Sequence, residues 1–259
     1  MAEAPPLPRA QANARLEMEI KAAHQRTRQT YVPERLQADL ADHGVKVGVH
    51  RIKRIRSELG LCCKQKRKFK ATTDSKHNLP VAPNLLDRQA VATPNKAWVT
   101  DITYIATDEG WLYLAGVKDL FNGELVGYAM AERMTCRLVI QALFRAVSIR
   151  RPGKGLIHHS DRGSQYCAHD YQKLLRQFGM QTSMSRKGNC WDNAPMESCW
   201  DSLKTELVHH RRFVTREQAR QKITEYIEIF YNRMRMQARL GYLSPAAFSQ
   251  QYYAIRIAA

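Results

Sequence analysis

Trp98-Val-Thr-Asp101-Ile-Thr-Tyr-Ile105 is the run from which the architecture is read. Its β-branched and aromatic side chains have the composition of a strand. Two more strands follow, Trp111 to Phe121 and Glu124 to Met130. Gly110 and the pair Asn122-Gly123 stand between them, and Asn-Gly is the strongest short hairpin signal. Next comes a helix with Leu138, Ala142 and Ala146 among its apolar positions, then a short strand running into His158-His-Ser-Asp161. A helix from about His169 to Phe178, a strand near Gln181 to Ser185 and a helix from Ala194 to Val208 complete the pattern. Three meandering strands and then alternating helix and strand predict an α/β fold, a mixed sheet flanked by helices. A long helix from Thr215 to about Arg235 opens on Thr215-Arg-Glu-Gln, close to a capping box.

The text before Trp98 has another period. Residues 1–13 hold three prolines and read as a loose tail. Leu16, Ile20 and Ala23 then share a helical face, and Pro33 opens a second segment that His43-Gly44 stops. Val49, Ile52, Ile55 and Leu59 make the stripe of a third, ended by Gly60. Three short helices with a tight last connection outline a helix-turn-helix over residues 14–62. Arg51, Lys53, Arg54 and Arg56 lie off that stripe, and Lys64-Gln-Lys66-Arg67-Lys68-Phe-Lys70 follows. Such a basic face and run suit DNA phosphates, although a solvated surface has the same composition. The segment 63–93 reads as a basic, proline-containing linker, 94–212 as the core and 213–259 as a C-terminal helical extension.

Lys and Arg number 41 against 24 Asp and Glu, a net charge of +17 over 259 residues. That excess points to a polyanionic partner, nucleic acid first. No apolar run approaches the roughly 18–20 residues of a membrane span. Met1-Ala-Glu-Ala-Pro-Pro-Leu-Pro has no apolar signal core, so a cytoplasmic protein is expected. Six cysteines without zinc-ligand spacing read as reduced thiols.

Three carboxylates stand out. Asp101 lies inside a strand, where Asp is depleted. Asp161 ends a strand before Arg-Gly-Ser, and Glu197 opens a helix after Asp192-Asn-Ala-Pro195. Separately, Asp161 also reads as a turn residue and Glu197 as a charge favoured by the helix dipole. Together, on elements that the β-β-β-α-β order brings side by side, they supply the hard oxygen ligands that phosphoryl transfer on two Mg2+ ions requires. His158 and His159 read as structural, and Trp191 and Trp200 as packing groups.

Trp98-Val-Thr-Asp101-Ile-Thr-Tyr104, His159-Ser-Asp161-Arg-Gly-Ser-Gln-Tyr166 and Asp192-Asn-Ala-Pro-Met-Glu197-Ser together resemble the DDE transposases of bacterial insertion sequences. The resemblance is to the group whose element has two overlapping reading frames. Thirty-five residues, 162–196, separate the second acid from the third, and Lys204 follows Glu197 by seven, nearly two helical turns along the same face. Tyr231-Asn232, Arg235 and Leu240-Gly-Tyr-Leu-Ser-Pro245 are similar to the family's tail. Gln237 stands where that tail carries His, and Ala90 where an aromatic is expected.

The resemblance implies a ribonuclease-H-like, retroviral-integrase-like core with Asp101, Asp161 and Glu197 as catalytic metal ligands. It implies Mg2+, two ions, with Mn2+ accepted by the same oxygens. Strand cleavage at insertion-sequence ends and strand transfer to a target follow, with no covalent protein intermediate. Double-stranded DNA is the implied partner, with a homo-oligomer assembled on it. Lys204 would contact terminal DNA, and Arg51, Lys53, Arg54, Arg56, Lys64, Lys66, Arg67 and Lys68 the flanking duplex. The chain resembles the second-frame product, so the first-frame product is a further expected partner and the nucleoid the expected location. A transposase-derived DNA-binding protein without catalysis, and a metal-dependent nuclease of the same fold, stay open at this point.

Overall fold

The computed structural model describes residues 8–64, 79–87, 91–186 and 193–258. Strands β1 (Ala97–Thr107), β2 (Gly110–Asp119) and β3 (Leu125–Ala131) form the expected antiparallel meander. The Asn-Gly turn places Gly123 at φ +72°, a conformation glycine adopts without steric cost. β4 (Ile157–Ser160) and β5 (Gln181–Met184) add in parallel on the other side, in the order β3-β2-β1-β4-β5. The segment 79–87 runs beside β5: the Met184 N–H donates to the Pro83 carbonyl at 3.3 Å, and the Leu85 N–H to Ser183 Oγ at 2.8 Å.

Strand alternation sends two sets of side chains to opposite faces. Trp98, Ala115 and Val117 pack under α4 (Cys136–Arg150), α5 (Ser164–Cys167) and α6 (His169–Gln177). Val99, Ile105, Leu112 and Leu114 pack under α7 (Ala194–Glu206) and the C-terminal elements. The mixed sheet flanked by helices is therefore the observed fold. The four-residue α5 carries no periodic signal and was not anticipated.

The N-terminal domain is α1 (Pro8–Arg26), α2 (Pro33–Asp42) and α3 (Val49–Glu58), closed on Ile20, Ala23, Leu36, Leu40, Ile52 and Ile55, which are 0–1% exposed. Helix α1 starts at Pro8, so residues 8–13, expected in a loose tail, are helical; proline is compatible with a first turn.

This domain docks on the C-terminal extension. The Met236 N–H donates to the Tyr31 hydroxyl at 2.8 Å, and the Arg28 guanidinium lies 4.8 Å from the Phe230 ring centroid. In that extension α8 (Arg216–Glu225) starts at Thr215, whose hydroxyl accepts from the Gln218 N–H at 3.1 Å as its sequence foretells. The expected single helix to Arg235 instead widens into π-helix over Tyr226–Met234. Tyr226, Phe230 and Tyr231, spaced i, i+4 and i+5, are all buried there, a spacing that a wider turn serves better than an α-turn. Helix α9 (Pro245–Ala258) closes the chain. Gln237 is 7% exposed, and its N–H donates to the Leu243 carbonyl at 3.0 Å. Ala90 lies outside the described residues.

Candidate active site

β4 pairs with β1 only along Ala97–Val99, the last pair being Val99 with His159. Two residues beyond that pair stand Asp101, within β1, and Asp161, just past the end of β4, so parallel register sets them level where the strands part. The strands lie about 4.8 Å apart where they pair, and beyond that point the Asp161 charge still acts on Asp101. Beyond Val99, β1 has an open edge on this side, and α7 brings Glu197 to it.

Three contacts hold α7 in place. Trp200 and Met196 press on Gly116, the cross-strand partner of Asp101; a Cβ on Gly116 would stand 2.6 Å from the Trp200 ring. The buried Lys118 ammonium donates to the Pro195 carbonyl at 2.7 Å. At the far end Glu206, 6% exposed, accepts from Arg235 Nε at 2.9 Å and from the Tyr226 hydroxyl at 2.7 Å. Glu197 itself is exposed in the first turn.

The electrostatics show what this arrangement costs. Burial, then the Asp161 charge, and also the Glu197 charge push the Asp101 carboxyl up to about 8, against the opposing Ile102 N–H. The Trp200 indole N–H also opposes the rise, although it closes no hydrogen bond of normal geometry. Asp161 Oδ1 accepts from the Gly163 N–H at 2.9 Å, so its turn role is real alongside its place in the fork. Tyr166, behind the fork, is held neutral by burial and by Asp101 and Asp161 nearby. Burial lowers the Lys204 ammonium, while Asp201 and Asp101 hold it up; its Nζ lies 5.0 Å from the Tyr104 ring centroid. Among the described residues no three His, Cys, Asp or Glu side chains close by themselves into a metal cage.

The other sequence candidates divide. Arg51, Lys53 and Arg54 are exposed on α3 with only surface partners: Asn13, Glu34 at 2.9 Å and Glu58 at 3.6 Å respectively. Arg56 is a correction. It is 6% exposed and donates inward, to the Tyr31 carbonyl at 3.2 Å and to Cys63 Sγ at 3.2 Å, so it does not belong to the basic face. Lys64 is exposed; Lys66, Arg67 and Lys68 lie outside the described residues. His158 is buried against the Tyr171 hydroxyl at 3.0 Å, and burial drives it down to about 3, so it stays neutral. His159 is clasped between Ser183 and Ser185 at 2.9 and 3.0 Å. Trp200 is buried; Trp191 is outside the described residues. Sequence reading missed Lys118 and Gly116, whose signals were a lysine and a glycine on the inward alternation of an apolar strand.

Comparison with known proteins agrees with this anatomy. The integrase core domain family matches residues 91–190, a second integrase core domain family 197–253, and an HTH-like domain family 11–69. An uncharacterized 31 kDa protein of insertion element IS600 from Shigella sonnei is 60% identical over 96% of this chain and 92% of its own. The transposase InsF of insertion sequence IS3A from Escherichia coli is 42% identical over 90% of this chain and 81% of its own. A chain of the simian T-cell lymphotropic virus intasome in complex with PP2A regulatory subunit B56 gamma superposes with TM-score 0.48 and 19% identity, over 82% of this chain and 69% of that one. With an integrase core, an HTH-like domain and transposase relatives spanning nearly all its length, the chain belongs to the IS3 family of bacterial DDE transposases.

Proposed function

We propose that Asp101, Asp161 and Glu197 jointly hold two divalent cations, and that this transposase cuts a strand at its element's end by hydrolysis and joins the freed 3′-hydroxyl to target DNA by transesterification. The observation that carries the reading is geometric: Asp101 and Asp161 stand level where β1 and β4 part, with Glu197 on α7 near enough for its charge to reach Asp101. Three like charges converging from β1, β4 and α7 are unfavourable unless positive charge neutralises them.

The donor set fits Mg2+ or Mn2+: it is all carboxylate oxygen, and the two histidines nearest it are buried in hydrogen bonds of their own. Such ions, when bound, supply the charge that activates an attacking oxygen and stabilises a leaving one in an in-line displacement. The protein's share is positional. Register fixes Asp101 beside Asp161, while Trp200, Lys118 and the Glu206–Arg235 pair fix the helix that presents Glu197. Lys204, on the same face as Glu197, holds the terminal phosphate, with its ammonium over the Tyr104 ring and within electrostatic reach of Asp101. Tyr166 lies buried behind the fork, close enough to feel the charges of Asp101 and Asp161. Arg51, Lys53, Arg54, Lys64 and the basic residues 66–68 grip the flanking duplex through its phosphates. The complex on DNA contains more than one copy of the chain, and the first-frame product joins it.

A strand-cleavage and strand-transfer assay tests this, with labelled duplex from the DNA flanking the coding sequence, Mg2+, and wild type beside Glu197→Gln. Joined products from wild type alone support the reading. Cleavage without joining would reduce it to a nuclease. Intact DNA, with the first-frame product also supplied, would overturn it.

A further inference from the structure

Of the tryptophans among the described residues, Trp98 is 0% exposed and Trp200 4%, but Trp111 is 44% exposed and belongs to neither core. It opens β2, paired with Ala106 of β1, its ring in T-shaped contact with Tyr104 at 4.9 Å between centroids. Tyr104 in turn carries the Lys204 ammonium at 5.0 Å, and Lys204 is within electrostatic reach of Asp101. A continuous path therefore leads from the acid fork through a cation to an exposed indole.

The backbone that carries the indole is tied down. The Trp111 carbonyl accepts from Arg216 Nε at 3.2 Å, the Arg216 N–H donates to Glu109 at 2.8 Å, and the Asp108 N–H donates to the Phe213 carbonyl at 2.9 Å. The hairpin tip is thus pinned to the start of α8, and docking a flat ligand there loses little conformational entropy.

We propose that Trp111, backed by Tyr104, is a stacking platform for an unpaired nucleobase of the DNA end that the acid site engages; this rests on the catalytic reading above. Opening a terminal base pair costs stacking and pairing. An aromatic face restores the stacking for any base, and Lys204 supplies charge for a neighbouring phosphate. The occupant is a single-stranded nucleotide at a DNA end, which offers a flat face with phosphate beside it.

The test uses the full chain and a forked duplex with 5-iodouracil at its unpaired end, irradiated in Ca2+ so that the DNA stays whole. Crosslinks are expected at Trp111, retained in Asp101→Asn and lost in Trp111→Ala. Crosslinks elsewhere, with yield unchanged by Trp111→Ala, would overturn the platform. In the cleavage assay, Trp111→Ala should cut a fully paired end about five- to a hundredfold more slowly, the range for losing one stacked base. A pre-opened end should recover most of that loss, and Trp111→Phe should behave nearly as wild type. Equal slowing on both substrates with a lowered Tm would mark Trp111 as packing only and reject the proposal. Should wild type cut neither substrate, the catalytic reading fails while the crosslinking result still decides the platform.

Discussion

The Lys118 ammonium, 4% exposed inside β2, donates its 2.7 Å hydrogen bond to Pro195, two residues before Glu197. A strand lysine thus anchors the helix end that presents the third acid. Burial depresses Lys118 to about 8 from 10.5. Below pH 8 the folded state bears the whole cost of the buried cation. Between about 8 and 10.5 the unfolded state binds more protons, so stability rises with pH through that window. Lys118→Met should abolish that rise, on the order of 3 kcal/mol, in thermal melts from pH 7.5 to 10.5. The same variant, still folded at pH 8, should lose most strand cleavage and need more Mg2+ for what remains. Full cleavage at the wild-type Mg2+ requirement would refute the anchoring role.

Asp101 has the opposite sign. Its folded pKa, about 8, lies above its ordinary 3.8, so the folded metal-free state holds an extra proton across that interval. Its contribution to stability is full at low pH and is lost as pH rises toward 8. Asp101→Asn should therefore melt higher than the metal-free wild type at pH 8, by about 2–4 °C for each kcal/mol relieved, with the gap closing near pH 4. Mg2+ should raise the wild-type Tm at pH 8 and leave the variant unmoved. A wild-type Tm insensitive to divalent ions would contradict the metal assignment.

Gly116 allows the close approach of α7. Because a Cβ there would meet the Trp200 ring at 2.6 Å, Gly116→Ala must push the helix outward. Overpacking of this kind costs about 1–3 kcal/mol. Activity should fall further than that loss implies, since Glu197 moves with the helix. The double variant Gly116→Ala, Trp200→Phe should regain stability and part of the cleavage rate. No recovery in the double variant would show that contact with Trp200 is not the cause.

Much of this was legible in the chain, for local reasons. Gly110 and Asn122-Gly123 delimit the meander, and the distance from Glu197 to Lys204 places both on one helical face. What stayed hidden depends on tertiary partners. Arg56 follows Ile52 by four, on the flank of the α3 stripe, and only the Tyr31 carbonyl and Cys63 beneath it decide that it turns inward. Lys118 shares the inward parity of Leu112 and Leu114, but its acceptor lies 77 residues away. The π-helical turns at Tyr226–Met234 answer to packing against the N-terminal domain, which a periodicity drawn from one segment does not contain.

The division of the α3 arginines is itself testable. Arg51, Lys53 and Arg54 project outward, and their partners are exposed side chains, pairs worth about 0–1 kcal/mol that phosphate readily displaces. Replacing any one by Ala should weaken duplex binding similarly on all sequences and reduce the slope of log K against log salt by about 1. Arg56→Ala should leave that slope unchanged and instead lower Tm, because it removes buried hydrogen bonds to the Tyr31 carbonyl, which keeps the Cys63 thiol at 2.9 Å, and to Cys63, at a cost of about 1 kcal/mol. Salt titrations of binding beside thermal melts separate the two behaviours. An Arg56 variant with a shallower salt slope and an unaltered Tm would return that residue to the DNA-facing set.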